Sequence, residues 1–355
     1  MATPFTFEAV ANDIAVSGGE VSLALDKAGN PSIAFSQAGS GQIVVARRNG
    51  GTWTHENVPG GFIGVDIRPW LAIDSTGNPR LGYQDLSSGE LIHAVKSAGQ
   101  WSFTHISTKL TPIQGPGGVA GVTFALRPGR LDTESRDVGY FVYVDLATDG
   151  IGFAHTGSIG PTPVTVQVDT TELTTFADPS VSFDSSENFF VGYVSFFHTG
   201  SPQDFVSVRE THVVDIEQGT FSTPAVIEGS QQINVRRPTS IARTFSDGCL
   251  AYFDMASKTL KASVASGGIL RIETVAANVN NIVTPSAAAK GNDFRVAYSD
   301  IDAVKLASRS QFGDWTVEAV DAVSAGSPSL AYDNAGTANI AYVAGGTLKY
   351  ARRSE

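Results

Sequence analysis

The chain has one cysteine and no long apolar run. Cys249 has no partner in its own 355-residue chain, so no intrachain disulfide can form. A lone cysteine fits a reducing compartment and also the many secreted proteins that use none. No stretch approaches the ~20 apolar residues of a membrane-spanning helix. Charge is scarce too, at 17% of residues, and it is lopsided, with a net charge of −11. Such a surface repels phosphate backbones and anionic lipid heads, which argues against nucleic acid and membrane as partners. The opening MATPFTFEAV lacks a basic region followed by an apolar run. No signal peptide is visible there, and a cytoplasmic protein or a mature secreted form without its leader both fit. There is no Gly-rich phosphate loop, no G-x-S-x-G elbow and no Cys–His arrangement. The six histidines, among them His55, His93, His105, His155 and His212, have no zinc-site spacing.

What the sequence does have is repetition. SLALDKAGNPSIAF (22–35), WLAIDSTGNPRLGY (70–83), SVSFDSSENFFVGY (180–193) and SLAYDNAGTANIAY (329–342) share one plan. Two alternating apolar runs flank a polar turn, and an Asp ends the first run: Asp26, Asp74, Asp184 and Asp333. Period-two alternation means strands with one face buried, and Asp-x-x-Gly or Gly-Asn-Pro means a tight hairpin turn. Weaker copies lie at 240–252 and 286–298, and the most divergent copy holds TFAL (123–126) and FVYV (141–144). A third strand follows each hairpin: 43–48, 91–96, 151–155, 205–210, 260–264, 304–309 and 348–353. A fourth follows at 53–58, 101–106, 163–168, 221–226, 270–275 and 315–320.

The fourth strands number one fewer than the others. FTFEAV (5–10) supplies the missing one, because it matches WTVEAV (315–320) position for position. The expected fold is therefore all-β: a seven-bladed β-propeller of four-stranded antiparallel blades. The N-terminal strand, 5–10, joins the C-terminal blade beside 348–353 and closes the ring. No linker interrupts the repeat, so residues 1–355 read as a single domain.

In such a ring the loops from fourth strand to next first strand share a face with the loops from second to third strand, and the central mouth there is the natural binding site. Four second strands end in an aromatic and then an acid: Tyr83 with Asp85, Tyr143 with Asp145, Tyr252 with Asp254, and Tyr298 with Asp300. These carboxylates can accept hydrogen bonds from sugar hydroxyls or hold a cation such as Ca²⁺. Each can equally fold back on the amides of its own turn. Asp302 beside Asp300 makes blade 6 the candidate place for an ion. Arg68, Arg236 and Arg237 stand at the entries to first strands, suited to bidentate contact with a carboxylate or to pairing with the protein's own acids. Trp70 replaces the Ser or Thr of most other copies, as a stacking platform or as packing. His198 lies in the loop SFFHTGSPQD on the same face. Glu20 and Asp178 flank first strands and leave open a carboxylate pair of the kind used in glycoside hydrolysis. Trp53, Trp101 and Trp315 start fourth strands, as ligand platforms or as packing between blades. Cys249 reads as a small buried hydrophobe. The long segments 129–137 and 198–205 depart most from the repeat, by function or by drift.

The unit carried by 22–58, 70–106 and 329–353 resembles the repeat of bacterial propellers grouped with fucose-binding lectins and sialidase-type proteins. That resemblance implies carbohydrate contact. The aspartate box of sialidases is absent, and residues on the ligand face differ from blade to blade, which favours one asymmetric site. Three readings follow. The first is a carbohydrate-binding propeller using Arg68, Trp70, Tyr83, Asp85, Tyr252, Asp254 and Asp300. The second is a lyase or hydrolase acting on an anionic glycan or small molecule, with Arg236 and Arg237 neutralising charge and Tyr252 or His198 moving a proton. The third is a protein-interaction scaffold.

Overall fold

A local turn repeats around the molecule and sets the hairpins. Asp26 Oδ1 accepts the amides of Ala28 (2.9 Å) and Asn30 (2.8 Å). Asp74, Asp184 and Asp333 do the same at their own turns. The chain must reverse with a left-handed residue three positions after the Asp. Gly29, Gly77 and Gly336 supply it with φ of 82°, 84° and 87°. Blade 4 uses Glu187 there instead, at φ 66°.

The computed structural model describes residues 5–11, 16–63, 68–85, 87–107, 122–127, 137–145, 150–156, 162–166, 174–197, 205–215, 220–230, 232–233, 235, 239–244, 246–280, 283–310 and 312–353. They form seven antiparallel sheets and, among the described residues, no helix. Blades 1 to 6 begin at Val16, Trp70, Val122, Thr174, Ser240 and Ser286, and blade 7 at Ser329. First strands of neighbouring blades touch one another around the ring, so the first strand of each blade is the innermost. The seventh sheet runs from Ser329–Tyr332 through Ala338–Ala344 and Thr347–Arg353 to Phe5–Ala11. Phe5 pairs with Arg353 and Ala9 with Lys349, so the ring closes as the repeat count requires.

The apolar core is divided among the blade interfaces. Seven clusters of buried side chains each draw on two adjacent blades, one cluster per interface. Each sheet buries both faces, one against each neighbour, so second strands such as Pro31–Gln37, Gly248–Asp254 and Ala338–Ala344 are buried along nearly their whole length rather than on one face alone. Val10, Ala11 and Tyr350 of blade 7 meet Val21, Ile33 and Phe35 of blade 1, for example.

An outer layer of polar contacts joins the same neighbours. Glu8 accepts Arg48 Nε at 2.7 Å and the Trp53 indole N–H at 2.8 Å. Glu56 holds Lys96 and the Trp101 indole, and Glu273 holds Arg309 and the Trp315 indole. In each case a fourth-strand Glu reaches the third and fourth strands of the next blade. Trp53, Trp101 and Trp315 therefore pack and bond between blades.

Blade 4 corrects the sequence expectation. Its third strand is long, Phe205–Asp215, and two separate segments pair with it. Thr220–Phe221 folds against the distal end, and Ala225–Ser230 forms the true fourth strand, rather than 221–226. Glu228 in that strand holds Lys261 (2.8 Å) and the Tyr252 hydroxyl (2.6 Å) of blade 5.

Candidate functional site

The inner strands enclose a central channel with a cavity of about 560 Å³. That volume lies within the range of small-molecule sites. Its wall is built from the first strands, including Ser22, Ala24, Trp70, Ala72, Ala125, Ser240, Ser286 and Ser329. Small side chains here let seven strands approach a common axis.

A belt of hydroxyls binds these strands together. Ser329 Oγ accepts the amide of Leu23 (2.9 Å), and Ser22 Oγ that of Leu71 (3.0 Å). Ser240 Oγ accepts Ala287 N (2.8 Å), and Ser286 Oγ accepts Leu330 N (2.9 Å). The innermost edge of a sheet exposes unpaired amides, and each serine satisfies one on the next blade. The belt breaks across blades 2 to 4. Trp70 occupies the serine position in blade 2, and its indole N–H donates to the Val122 carbonyl of blade 3 at 2.7 Å. Thr123 follows, wholly buried with its hydroxyl oxygen unpartnered. Ser180 turns aside to Thr239, 2.8 Å away.

Above this break stands a charged group. Arg68, two residues before Trp70, lines the channel and lies over the indole, 5.2 Å from its centroid. Its Nε donates to Glu20 Oε2 at 3.0 Å. Arg68 Nη2 is also 3.0 Å from that oxygen, close enough for an ion pair yet misaligned for a hydrogen bond, and it is buried without one. Glu20 Oε1 accepts Ser327 Oγ (2.5 Å) and Thr284 Oγ1 (3.4 Å). The chain of contacts thus spans blades 6, 7, 1 and 2.

Of the residues singled out from sequence, Arg68 and Trp70 line the channel together. Tyr83 and Tyr252 are buried between blades. Burial raises the acidic pKa of both phenols, and for Tyr252 the bond to Glu228 adds to it. Asp85 accepts the amides and hydroxyls of Ser87 and Ser88 at 2.5–3.1 Å. Burial alone would raise its pKa, but those bonds outweigh burial and hold the carboxyl below its usual range. Asp254 accepts Ala256 N and Ser257 Oγ. Asp300 accepts Asn280 N and Ile301 N and pairs with Lys305 at 2.8 Å. Asp302 is exposed, 3.5 Å from the same lysine. These acids face their own turns and lysines. Among the described residues no group of three or more His, Cys, Asp or Glu side chains is placed to hold a metal ion. His198, Arg236 and Arg237 lie outside the described residues.

The role of Glu20 as the partner of Arg68 is not legible from spacing within one blade. The signal is its position, two residues before a belt serine, as Arg68 is two before Trp70.

Cys249 is buried between blades 5 and 6, and burial pushes its thiol up to about 12. It is expected to stay unreactive toward a thiol reagent in the native protein and to titrate as one thiol after denaturation. Rapid native labelling would contradict that placement.

No family model matches the sequence, and no curated protein matches it. Among solved structures, the chain is similar to a streptogramin B lyase, with TM-score 0.57 and 13% identity over 98% of this chain and 97% of that one. It is also similar to the polysaccharide lyase Uly1, with TM-score 0.60 and 10% identity over 98% and 91%. A Penicillium chrysogenum α-L-arabinanase complexed with arabinobiose gives TM-score 0.55 and 13% identity over 99% and 97%. The class of protein is therefore a seven-bladed β-propeller whose structural neighbours include propeller lyases and glycosidases. At such low identity the likeness establishes the fold.

Proposed function

We propose that the protein binds carbohydrate at the channel mouth on the blade 2 side, with Trp70 and Arg68 as contact residues. The observation that carries this reading is the break in the hydroxyl belt. Four of the seven inner strands use a serine to staple the next blade, and blade 2 spends that position on the largest side chain available. An indole beside a guanidinium offers an apolar ring surface and directed donors, the combination a sugar ring requires. The neighbours include a polysaccharide lyase and an arabinanase holding arabinobiose, which supports a sugar as ligand class. Glu20 and Arg68 are bonded to each other rather than poised as free acid and base, so the reading is binding rather than turnover.

Trp70→Ser tests it, because serine is what other blades carry there and the fold has room for it. Glycan binding by calorimetry or array is expected to weaken at least about tenfold, with Tm lowered as well because the indole's bond to Val122 and its packing between blades 2 and 3 are lost. Arg68→Ala is expected to act in the same direction. Unchanged glycan binding in both variants would sink the proposal.

A further inference from the structure

Resting on that reading, we infer that the ligand is an uncharged sugar and that Glu20 sets this preference by neutralising Arg68. Arg68 is the natural attractor for an anion, but its charge is already matched by a carboxylate inside the protein. Both Glu20 oxygens are engaged, Oε2 by Arg68 and Oε1 by Ser327 and Thr284. Ser327 Oγ also accepts the Thr284 amide at 3.1 Å, so the hydroxyls that hold Glu20 are themselves fixed. Swinging Glu20 aside would break its contacts with blades 2, 6 and 7 at once.

A ligand carboxylate reaching Arg68 would therefore stand beside Glu20 in a partly dehydrated channel, where like charges repel strongly. The overall charge of −11 opposes it further. A neutral ring meets a different surface. Arg68 lines the cavity, and its buried Nη2 has no hydrogen-bond acceptor, so a small turn of the side chain that presents this nitrogen to a ring hydroxyl gives it a partner it otherwise lacks. Trp70, which lines the cavity beside Arg68, offers its ring. A cavity of about 560 Å³ suits a mono- or disaccharide.

The test compares neutral arabinose- and galactose-based disaccharides with glucuronate- and galacturonate-containing ones of matched size, by calorimetry at low salt. The unaltered protein is expected to favour the neutral sugars by about tenfold or more. Glu20→Gln keeps the side chain's shape and an acceptor for Ser327 but removes the charge. It is expected to raise uronate affinity about tenfold and to leave neutral-sugar affinity within about threefold. Its Tm, measured alongside, reports whether the ring is intact. Equal or tighter uronate binding by the unaltered protein overturns the inference and leaves the carbohydrate reading standing. A Glu20→Gln variant with an intact ring and unchanged preference overturns it as well. Binding of neither class overturns both.

Discussion

A chain lacking residues 1–11 is expected to melt about 10 °C or more below the full chain and to aggregate on heating. The N-terminal strand serves two interfaces at once. In blade 7 it pairs with Thr347–Arg353, and Phe5 lies under Arg353, 5.7 Å from the guanidinium. Toward blade 1, Glu8 holds Arg48 and Trp53, and the Val10 carbonyl lies 2.7 Å from His55 Nε2. Val10 and Ala11 are almost wholly buried in the cluster between blades 7 and 1. Burying a valine is worth about 1.5–3 kcal/mol, and each charge-assisted hydrogen bond adds about 1.5–3. A loss of roughly 5 kcal/mol is comparable to the whole stability of many folded domains. Removal also bares Thr347–Arg353 as an unprotected sheet edge. Calorimetry of the two chains measures the difference. If the shortened chain keeps its Tm, the closure contributes nothing and the account of the ring is wrong.

The strand order, the blade count and the closure were legible because their causes are local. Alternation of apolar residues and an Asp–Gly turn act over a few positions, and FTFEAV matches WTVEAV at four of six positions with an apolar residue at the other two. Blade 4 shows where locality ends. FSTPAV and AVIEGS both look like edge strands, and only the long partner Phe205–Asp215 lets each pair with a different part of it. Glu228 was the available clue, since it stands where Asp321 stands in blade 6, each holding a tyrosine hydroxyl and a lysine of the next blade. The site was half legible. Trp70 stood out as the exception to a serine position, but that the serines accept amides from the next blade requires the ring to be closed. The acids after Tyr83, Tyr252 and Tyr298 are regular in sequence because regular turns need them, so their repetition carried no information about ligand.

Acid is expected to destabilise the protein through His93 before the turn aspartates respond. His93 is buried beside Phe124 and Phe141, with ring centroids 5.4 and 6.0 Å away. Its Nε2 has no hydrogen-bond partner. Burial, with the Arg80 charge adding to it, depresses its pKa from 6.5 to about 3. The unfolded chain takes up a proton as pH falls below about 6.5, whereas the folded chain does not until about pH 3. Stability from the neutral imidazole is therefore complete above pH 6.5 and is lost progressively between the two values, at about 1.4 kcal/mol per pH unit. The carboxyls of Asp26, Asp74 and Asp333 are each pulled below 3.8, burial being outweighed by their hydrogen bonds and nearby arginines. Their contribution is lost only below about that pH. Between about pH 7 and pH 4 the unaltered protein should thus lose roughly 3 kcal/mol relative to His93→Leu, a variant that fills the pocket without a titrating group. Urea unfolding midpoints of both proteins across that range give the comparison. The variant should match or exceed the parent at neutral pH, because it removes a buried polar atom that bonds to nothing. Parallel pH profiles for the two proteins would show that His93 is solvated or paired in solution, and the packing between blades 2 and 3 would have to be redrawn.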